Sequence, residues 1–416
     1  EIHPNDDEID LTFAQLCWKM KNGKHISKIN RMLSRHNLAN ISSKAIDQNI
    51  SVENLECSAP DFTVGGPLVS IIMTVYGRDK YLDVAVSSVL NQSHKNIELI
   101  IVDDRSTDDA YQYLTEYASK EPRMKVLQVN ENGGTYCAKN SAISIANGEY
   151  IAFMDSDDWT HPQRIEKQLS AIIDTPYKAV CHSYFRINEV GDLFYKGIGS
   201  IRLACISLFA HRSVFEQLGH FDSMRVGADT EFIERIKAFY GDEALLHDRI
   251  PSMFMLMHSS SLTGGGKFEI SWRSIAGPRL EHHSSFEEWH KKIKHGKVSP
   301  HVDFPLRVRP YYIPNEMTAG KSHWENGNPL FTQLLFLRNK KWGSRVSSPA
   351  WQYELSESKE GLLWAKEQGL TIPEIIWSGK LESMPSINLL PGKCVIVPDK
   401  RFMNSQPIYI TNSTDI

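Results

Sequence analysis

The chain is predicted to fold as an α/β protein, a mostly parallel sheet flanked by helices, on three observations. From residue 68 onward, short apolar runs alternate with amphipathic stretches of helical length, the pattern of parallel strands joined by crossover helices. Two of the apolar runs empty straight into acids: Ile100-Ile101-Val102 into Asp103-Asp104, and Ala152-Phe153-Met154 into Asp155-Ser156-Asp157-Asp158. Ahead of them, Gly65-Gly66-Pro67 punctuates the chain and closes off a polar stretch of different character.

Residues 1–64 read as an N-terminal helical extension. Leu11, Leu16, Ile26, Ile29 and Leu33 recur at helical spacings, so a packed helix pair is expected. Lys19, Lys21, Lys24 and Lys28 read as a solvated face, with a membrane surface or a partner as the competing use. The segment 69–75 is a buried strand, 79–91 a helix, 97–102 a strand and 108–120 a helix. Then come a strand at 125–129, a helix at 135–147 and a strand at 150–154. Pro162 falls in the first turn of the next helix, where its missing N–H is no loss. Further strands are expected over 178–187 and 201–210, and a helix over 230–239. The run Gly264-Gly265-Gly266 ends this unit, whose bounds are set at 65–275. Residues 276–416 are assigned to a C-terminal accessory region, or the start of a further domain. There His282, His283, His290 and His295 lie in a Lys-rich stretch that reads as a solvated helix rather than a metal site. A helix and a Pro-containing loop are expected over 361–378, and a short strand over 393–397.

Composition narrows the function classes. With 416 residues, 41% hydrophobic and 23% charged, the chain has room for a large core and more than one domain. A net charge of −4 favours no nucleic-acid partner. The six cysteines show no metal-ligand spacing and read as reduced core fillers of an intracellular protein. No apolar run approaches the roughly 18 residues of a membrane span. The expected location is the cytoplasm, with the inner membrane face as a peripheral option. The chain opens on Glu1 rather than Met and is read as a piece of something longer.

Acids delivered by apolar strands call for a ligand. Adjacent carboxylates repel, and a hard divalent cation shared with diphosphate oxygens relieves that repulsion. In an open α/β sheet the carboxyl ends of the strands are where ligands bind, so the two acidic ends suggest a nucleotide and metal site.

Four segments in order carry a family resemblance over residues 68–270. They are Val69-Ser70-Ile71-Ile72-Met73-Thr74-Val75-Tyr76, Ile101-Val102-Asp103-Asp104-Arg105-Ser106-Thr107-Asp108, the turn and helix over 132–140, and Asp155-Ser156-Asp157-Asp158. In these the chain resembles the inverting glycosyltransferases of family 2, which have the GT-A nucleotide-diphospho-sugar transferase fold. The resemblance implies that Asp104, with Asp103, accepts hydrogen bonds from a uracil base, and that Thr74 and Tyr76 line the same pocket. Lys139 stands where the family usually has Arg, keeping the charge but losing the bidentate fork. Asp155 and Asp157 match the DXD-type motif: Asp157 as ligand of Mn²⁺ or Mg²⁺, Asp155 on the ribose or a metal-bound water, and Asp158 orienting its neighbours in the donor site. The family's Glu-Asp pair at the start of a helix is matched only by Asp229, because Ala228 replaces the Glu. Asp229 is therefore the expected base, with Glu231 in reserve. His258 is a candidate third metal ligand or phosphate contact, followed by a Ser- and Gly-rich stretch that could close over the donor.

The expected function is a metal-dependent transfer of a hexosyl or N-acetylhexosaminyl group from a UDP-sugar to a glycan or lipid-linked glycan acceptor. Capsule, lipopolysaccharide or another surface polysaccharide is the expected setting. A catalytically inactive glycan- or nucleotide-binding module is the alternative, supported by Lys139 and Ala228. A sugar nucleotidyltransferase is disfavoured, since Val75-Tyr76-Gly77-Arg78 is not a Gly-rich phosphate loop. Trp272, Trp289, Trp324, Tyr311 and Tyr312 are candidates for stacking on sugar rings or for core packing.

Overall fold

A computed structural model of the chain describes residues 4–21, 23–44, 50–58, 65–194, 200–257, 278–306, 309–314 and 317–319, together with three short strands further on. Two helices, α1 (Pro4–Lys19) and α2 (His25–Arg35), precede an antiparallel pair, β1 (Ile41–Ser43) and β2 (Leu55–Cys57). The alternating part follows: β3 (Val69–Val75), α3 (Leu82–Leu90), β4 (Ile97–Asp103), α4 (Ala110–Ala118), β5 (Met124–Gln128), α5 (Thr135–Ile143) and β6 (Tyr150–Asp155). Next are β7 (Trp159–Thr160), α6 (Arg164–Ile172), β8 (Ala179–Asn188), β9 (Leu193–Phe194), β10 (Arg202–Leu203) and β11 (Phe209–His211). The unit finishes with α7 (Arg212–Leu218), α8 (Ala228–Tyr240), β12 (Leu245–Met257) and α9 (Pro278–Lys294). Separately, β13 (Glu374–Trp377), β14 (Cys394–Pro398) and β15 (Ile408–Ile410) make a small mixed sheet.

The main sheet runs β5-β4-β3-β6-β11-β8-β12-β7. Along it only β11 and β7 oppose the common direction. Every residue of β3 and β4 is buried, as expected for a parallel sheet covered on both faces. Register pairs Thr74 with both Val102 and Asp155, so the ends of β3, β4 and β6 meet at one edge. The stretch read as one strand over 201–210 is broken by a 3-10 turn, Cys205–Ser207, into β10 and β11.

At the opposite edge, Glu98 on β4 gathers Ser70, Lys125, Asn147 and the Gly148 amide. Burial alone would raise its carboxyl; Lys125, Ser70 and Asn147 outweigh that and hold it at about 2. Gly148 is pressed against this clamp, where an added Cβ would fall 2.3 Å from the Ser70 nitrogen and 2.7 Å from the Tyr150 oxygen. Both are backbone atoms of core strands and cannot step aside. Gly148→Ala is expected to destabilise the protein by about 3 kcal/mol. A denaturant midpoint equal to that of the parent would contradict this.

One boundary differs from expectation. Phe286, Trp289 and Ile293 of α9, then Val302, Leu306, Tyr311, Ile313 and Met317, belong to the same buried cluster as β3, β4 and β6. The described residues of 278–319 therefore pack into the same core as the sheet, although the sequence reading placed them beyond the end of that unit at 275. Sequence reading stopped too early because aromatic and histidine side chains on α9 mask its apolar stripe. His282 and His290 are buried, so α9 is neither a solvated helix nor a metal-binding one, and burial pushes the His282 imidazole down to about 3. Trp289, Tyr311 and Tyr312 are core residues too. The N-terminal helix pair forms as expected, with Leu11, Ala14, Ile29, Met32 and Leu33 packed against Tyr81, Trp159, Phe185 and Phe254.

Candidate active site

The edge where β3, β4 and β6 end gathers the acids. Asp155 closes β6, is partly exposed, and accepts from Lys139 Nζ at 3.2 Å. Asp157 is likewise partly exposed in the turn that follows. Burial in the cleft raises the Asp155 carboxyl against the pull of Lys139, and Asp157 and Asp229 push it up further. Asp158 points the other way: buried, it accepts the Leu256 amide at 2.8 Å and so ties the turn to β12. Burial, then Asp157 and Asp155, push its carboxyl well above the ordinary range. Asp158 thus ties down the turn that carries Asp155 and Asp157.

The β4 acids are spent on their own loops in this structure. Asp103 is fully buried and holds the Ser106 hydroxyl and amide and Gln128 Nε2. Asp104 accepts the amides of Gly133 (2.9 Å) and Gly134 (2.8 Å) at the start of α5, where the helix dipole welcomes a negative charge. Gly134 has φ +82°, so a side chain there would be strained. Asp103 therefore braces the loop after β4 from inside. Asp104, 4% exposed, keeps only an edge at the pocket. Neither caps the helix at Ala110; Asp108 does, accepting the amides of Ala110 and Arg78. Between the acids and Ser106 the chain turns through Arg105 at φ +62°, left-handed backbone that a non-glycine residue adopts at a cost.

Thr74 at the end of β3 shares a 2.7 Å hydrogen bond with Thr135, joining β3 to the first turn of α5. Tyr76 stands 62% exposed at the rim. Next to Thr135 on α5, Tyr136 is buried and its hydroxyl meets Asp229. Burial, then the charge of Asp229, keep that phenol protonated far above its usual range. The Lys139 ammonium is 3% exposed and sits 5.3 Å from the Tyr136 ring centre, between that ring and Asp155. Arg279 at the start of α9 feels both Tyr136 and Asp229. Asp229, Tyr136, Lys139 and Asp155 thus form one constellation. Tyr136 and Arg279 were not read from the sequence; the only available signal for Tyr136 was its position one turn before Lys139.

Glu231 does not join them. It is fully buried, paired with Arg235 at 2.7 Å and with His290 Nε2 at 2.8 Å. Its reading as a reserve base is corrected to that of a core ion pair. His258, Ser259–Gly266, Trp272 and Trp324 lie outside the described residues, as does most of 361–378.

A divalent ion is implied by the resemblance. Among the described residues no group of three or more His, Cys, Asp or Glu side chains makes a ready cage. Asp155 and Asp157 nonetheless fit one: two hard carboxylates whose repulsion a cation relieves, with phosphate oxygens left to fill the remaining positions.

Comparison with known proteins agrees with this geometry. The family profile described as Glycosyl transferase family 2 matches residues 70–257. The putative teichuronic acid biosynthesis glycosyltransferase TuaG of Bacillus subtilis is 43% identical over 108 residues, 26% of this chain and 43% of that protein. An uncharacterized glycosyltransferase of Haemophilus influenzae is 42% identical over 107 residues, again 43% of its length. The chain thus spans less than half the length of these curated relatives. Among solved structures, S. aureus TarS 1–349 in complex with UDP-GlcNAc is 19% identical with a TM-score of 0.38, covering 46% of this chain and 59% of that one. At that score the likeness carries no weight for what this chain binds. The α/β topology and the acid-bearing strand ends lie within the segment, residues 70–257, that the glycosyl transferase family 2 profile matches.

Proposed function

We propose that this protein transfers a sugar from a nucleotide-diphosphate sugar, a UDP-sugar, to a hydroxyl of a glycan acceptor with inversion, in surface-polysaccharide synthesis. The observation that carries the reading is one cluster of side chains: Lys139 pairs with Asp155 at 3.2 Å, Asp157 and Asp229 both bear on the Asp155 carboxyl, and the Tyr136 hydroxyl meets Asp229. The match of residues 70–257 to the family profile and the biosynthetic role printed for TuaG support it.

Inversion by single displacement needs a base facing the diphosphate across the sugar. Asp229 takes the proton of the acceptor hydroxyl as that oxygen attacks the anomeric carbon, and Tyr136 orients its carboxylate. Asp155 and Asp157 would hold Mn²⁺ or Mg²⁺, which when bound stabilises charge on the leaving diphosphate as a Lewis acid. Lys139 balances Asp155 and adds positive charge beside the diphosphate. Thr74, Tyr76 and the edge of Asp104 line the nucleoside end.

A thermal-shift panel of UDP, GDP, CDP and dTDP, each with Mn²⁺ and with EDTA, tests the donor site. UDP with Mn²⁺ is expected to stabilise the protein by about 2.7 kcal/mol at a hundredfold excess over its dissociation constant. EDTA and the Asp157→Asn change should each abolish that shift. No shift with any nucleotide would overturn the reading.

A further inference from the structure

Helix α1 carries apolar side chains on two faces, and among the described residues only one of these faces is buried. Leu11, Ala14 and Cys17 point into the core. On the opposite side Ile9, Phe13, Leu16 and Met20 are 47%, 48%, 49% and 72% exposed. At about 100° per residue these four side chains fall within an arc of roughly 60°, one continuous stripe along the helix. A solvated helix face would be polar there.

The surroundings of the stripe are basic. Lys19 and Lys21 flank its C-terminal end, and Lys24 and Lys28 follow on α2, with the Lys28 ammonium 5.7 Å from the Phe13 ring centre. Two of the acids of α1 are turned inward: Asp7 pairs with Arg35 and His36, and Asp10 with Arg31 and Arg35. Glu8 is spent on the amides of Ser200 and Ile201. The hairpin is firmly seated, since Gln15 and Lys19 both hold Asp192 and Gln15 also accepts the Leu193 amide.

We infer that this stripe docks the protein on an anionic lipid surface, α1 lying in the plane of the interface with its lysines among the headgroups. An apolar face bordered by basic side chains is the chemistry of a helix that rests on a membrane. No helix among the described residues is long and apolar enough to cross one. A second copy of the chain fits less well. Four half-exposed side chains offer a few hundred Å², short of the roughly 800 Å² per partner that a standard protein interface buries. The inference stands independently of the transferase reading, because its test involves no nucleotide.

The test is flotation of the full chain with vesicles of phosphatidylcholine alone and with about 30% phosphatidylglycerol, at low and high salt. The protein should float with the anionic vesicles only, and several-fold less at high salt. The double change Phe13→Ser and Leu16→Ser removes exposed side chains, so the melting temperature should hold while vesicle binding falls about tenfold or more. Lys21→Glu with Lys24→Glu should reduce binding as well. Absence of the parent from anionic vesicles would overturn the inference, as would undiminished flotation of the Phe13/Leu16 variant. A concentration-dependent dimer that this variant abolishes, without vesicle binding, would assign the stripe to a second copy instead.

Discussion

Asp229→Asn is expected to lower glycosyl transfer by about 10²- to 10⁴-fold, the usual worth of a positioned general base. Asn keeps the shape and can still accept from the Thr230 amide, which Asp229 now does at 2.8 Å, and from the Tyr136 hydroxyl. What it loses is basicity. The fold should survive: an acid in the first turn of α8 contributes only about 0.3–1 kcal/mol through the helix dipole. The loss should appear in kcat with little change in the donor KM, because the acceptor proton moves only as the bond forms. UDP should still shift the melting temperature of the variant with Mn²⁺. Undiminished transfer by Asp229→Asn would remove this residue from the mechanism, while UDP binding by a parent without turnover would favour the inactive binding module.

The sequence carried most of the sheet and part of the site, for identifiable reasons. Strands β3, β4 and β6 were legible because both their faces are buried, which forces unbroken Ile, Val, Met and Phe runs whatever the neighbours are. The antiparallel insertion of β11 between β6 and β8 was not legible, since a three-residue strand leaves no periodicity. At the site, the strand-end position of Asp103, Asp104 and Asp155 could be read from the order of residues. The direction of each carboxylate could not. Asp104 is drawn to two glycine amides 29 and 30 residues on, and Asp158 to an amide 98 residues on. Such partners are fixed by tertiary packing alone. The exposed stripe on α1 escaped for the opposite reason: an apolar residue looks the same in sequence whether it faces the core or water, and Leu16, read as a packing position, is half exposed.

Glu231→Ala is expected to cost about 3–5 kcal/mol and to leave much of the protein unfolded, because it strands a buried cation. Arg235 is fully buried, donates to both oxygens of Glu231 at 3.0 and 2.7 Å, and sends its remaining N–H groups to the carbonyls of Leu218, His220 and Pro300. Its guanidinium stacks 4.8 Å from the Phe232 ring centre and 5.5 Å from that of Trp289, so no water can replace the lost carboxylate. Burial by itself would raise the Glu231 carboxyl; Arg235 and His290 overcome this and hold it at about 2, below its ordinary 4.5. A depressed carboxyl stabilises the fold fully above pH 4.5, and that contribution drains away as pH falls from 4.5 toward 2. Denaturant midpoints of the parent should therefore drop over that window, and those of Glu231→Gln should drop less. Glu231→Gln also separates the two roles that the sequence left open for this residue. It keeps one oxygen to accept from Arg235 but loses the charge and turns an amide NH2 toward the other Arg235 N–H, so it should be less stable than the parent yet fully active per folded molecule. A stable but inactive Glu231→Gln would instead make Glu231 the base, against its complete burial 2.8 Å from His290.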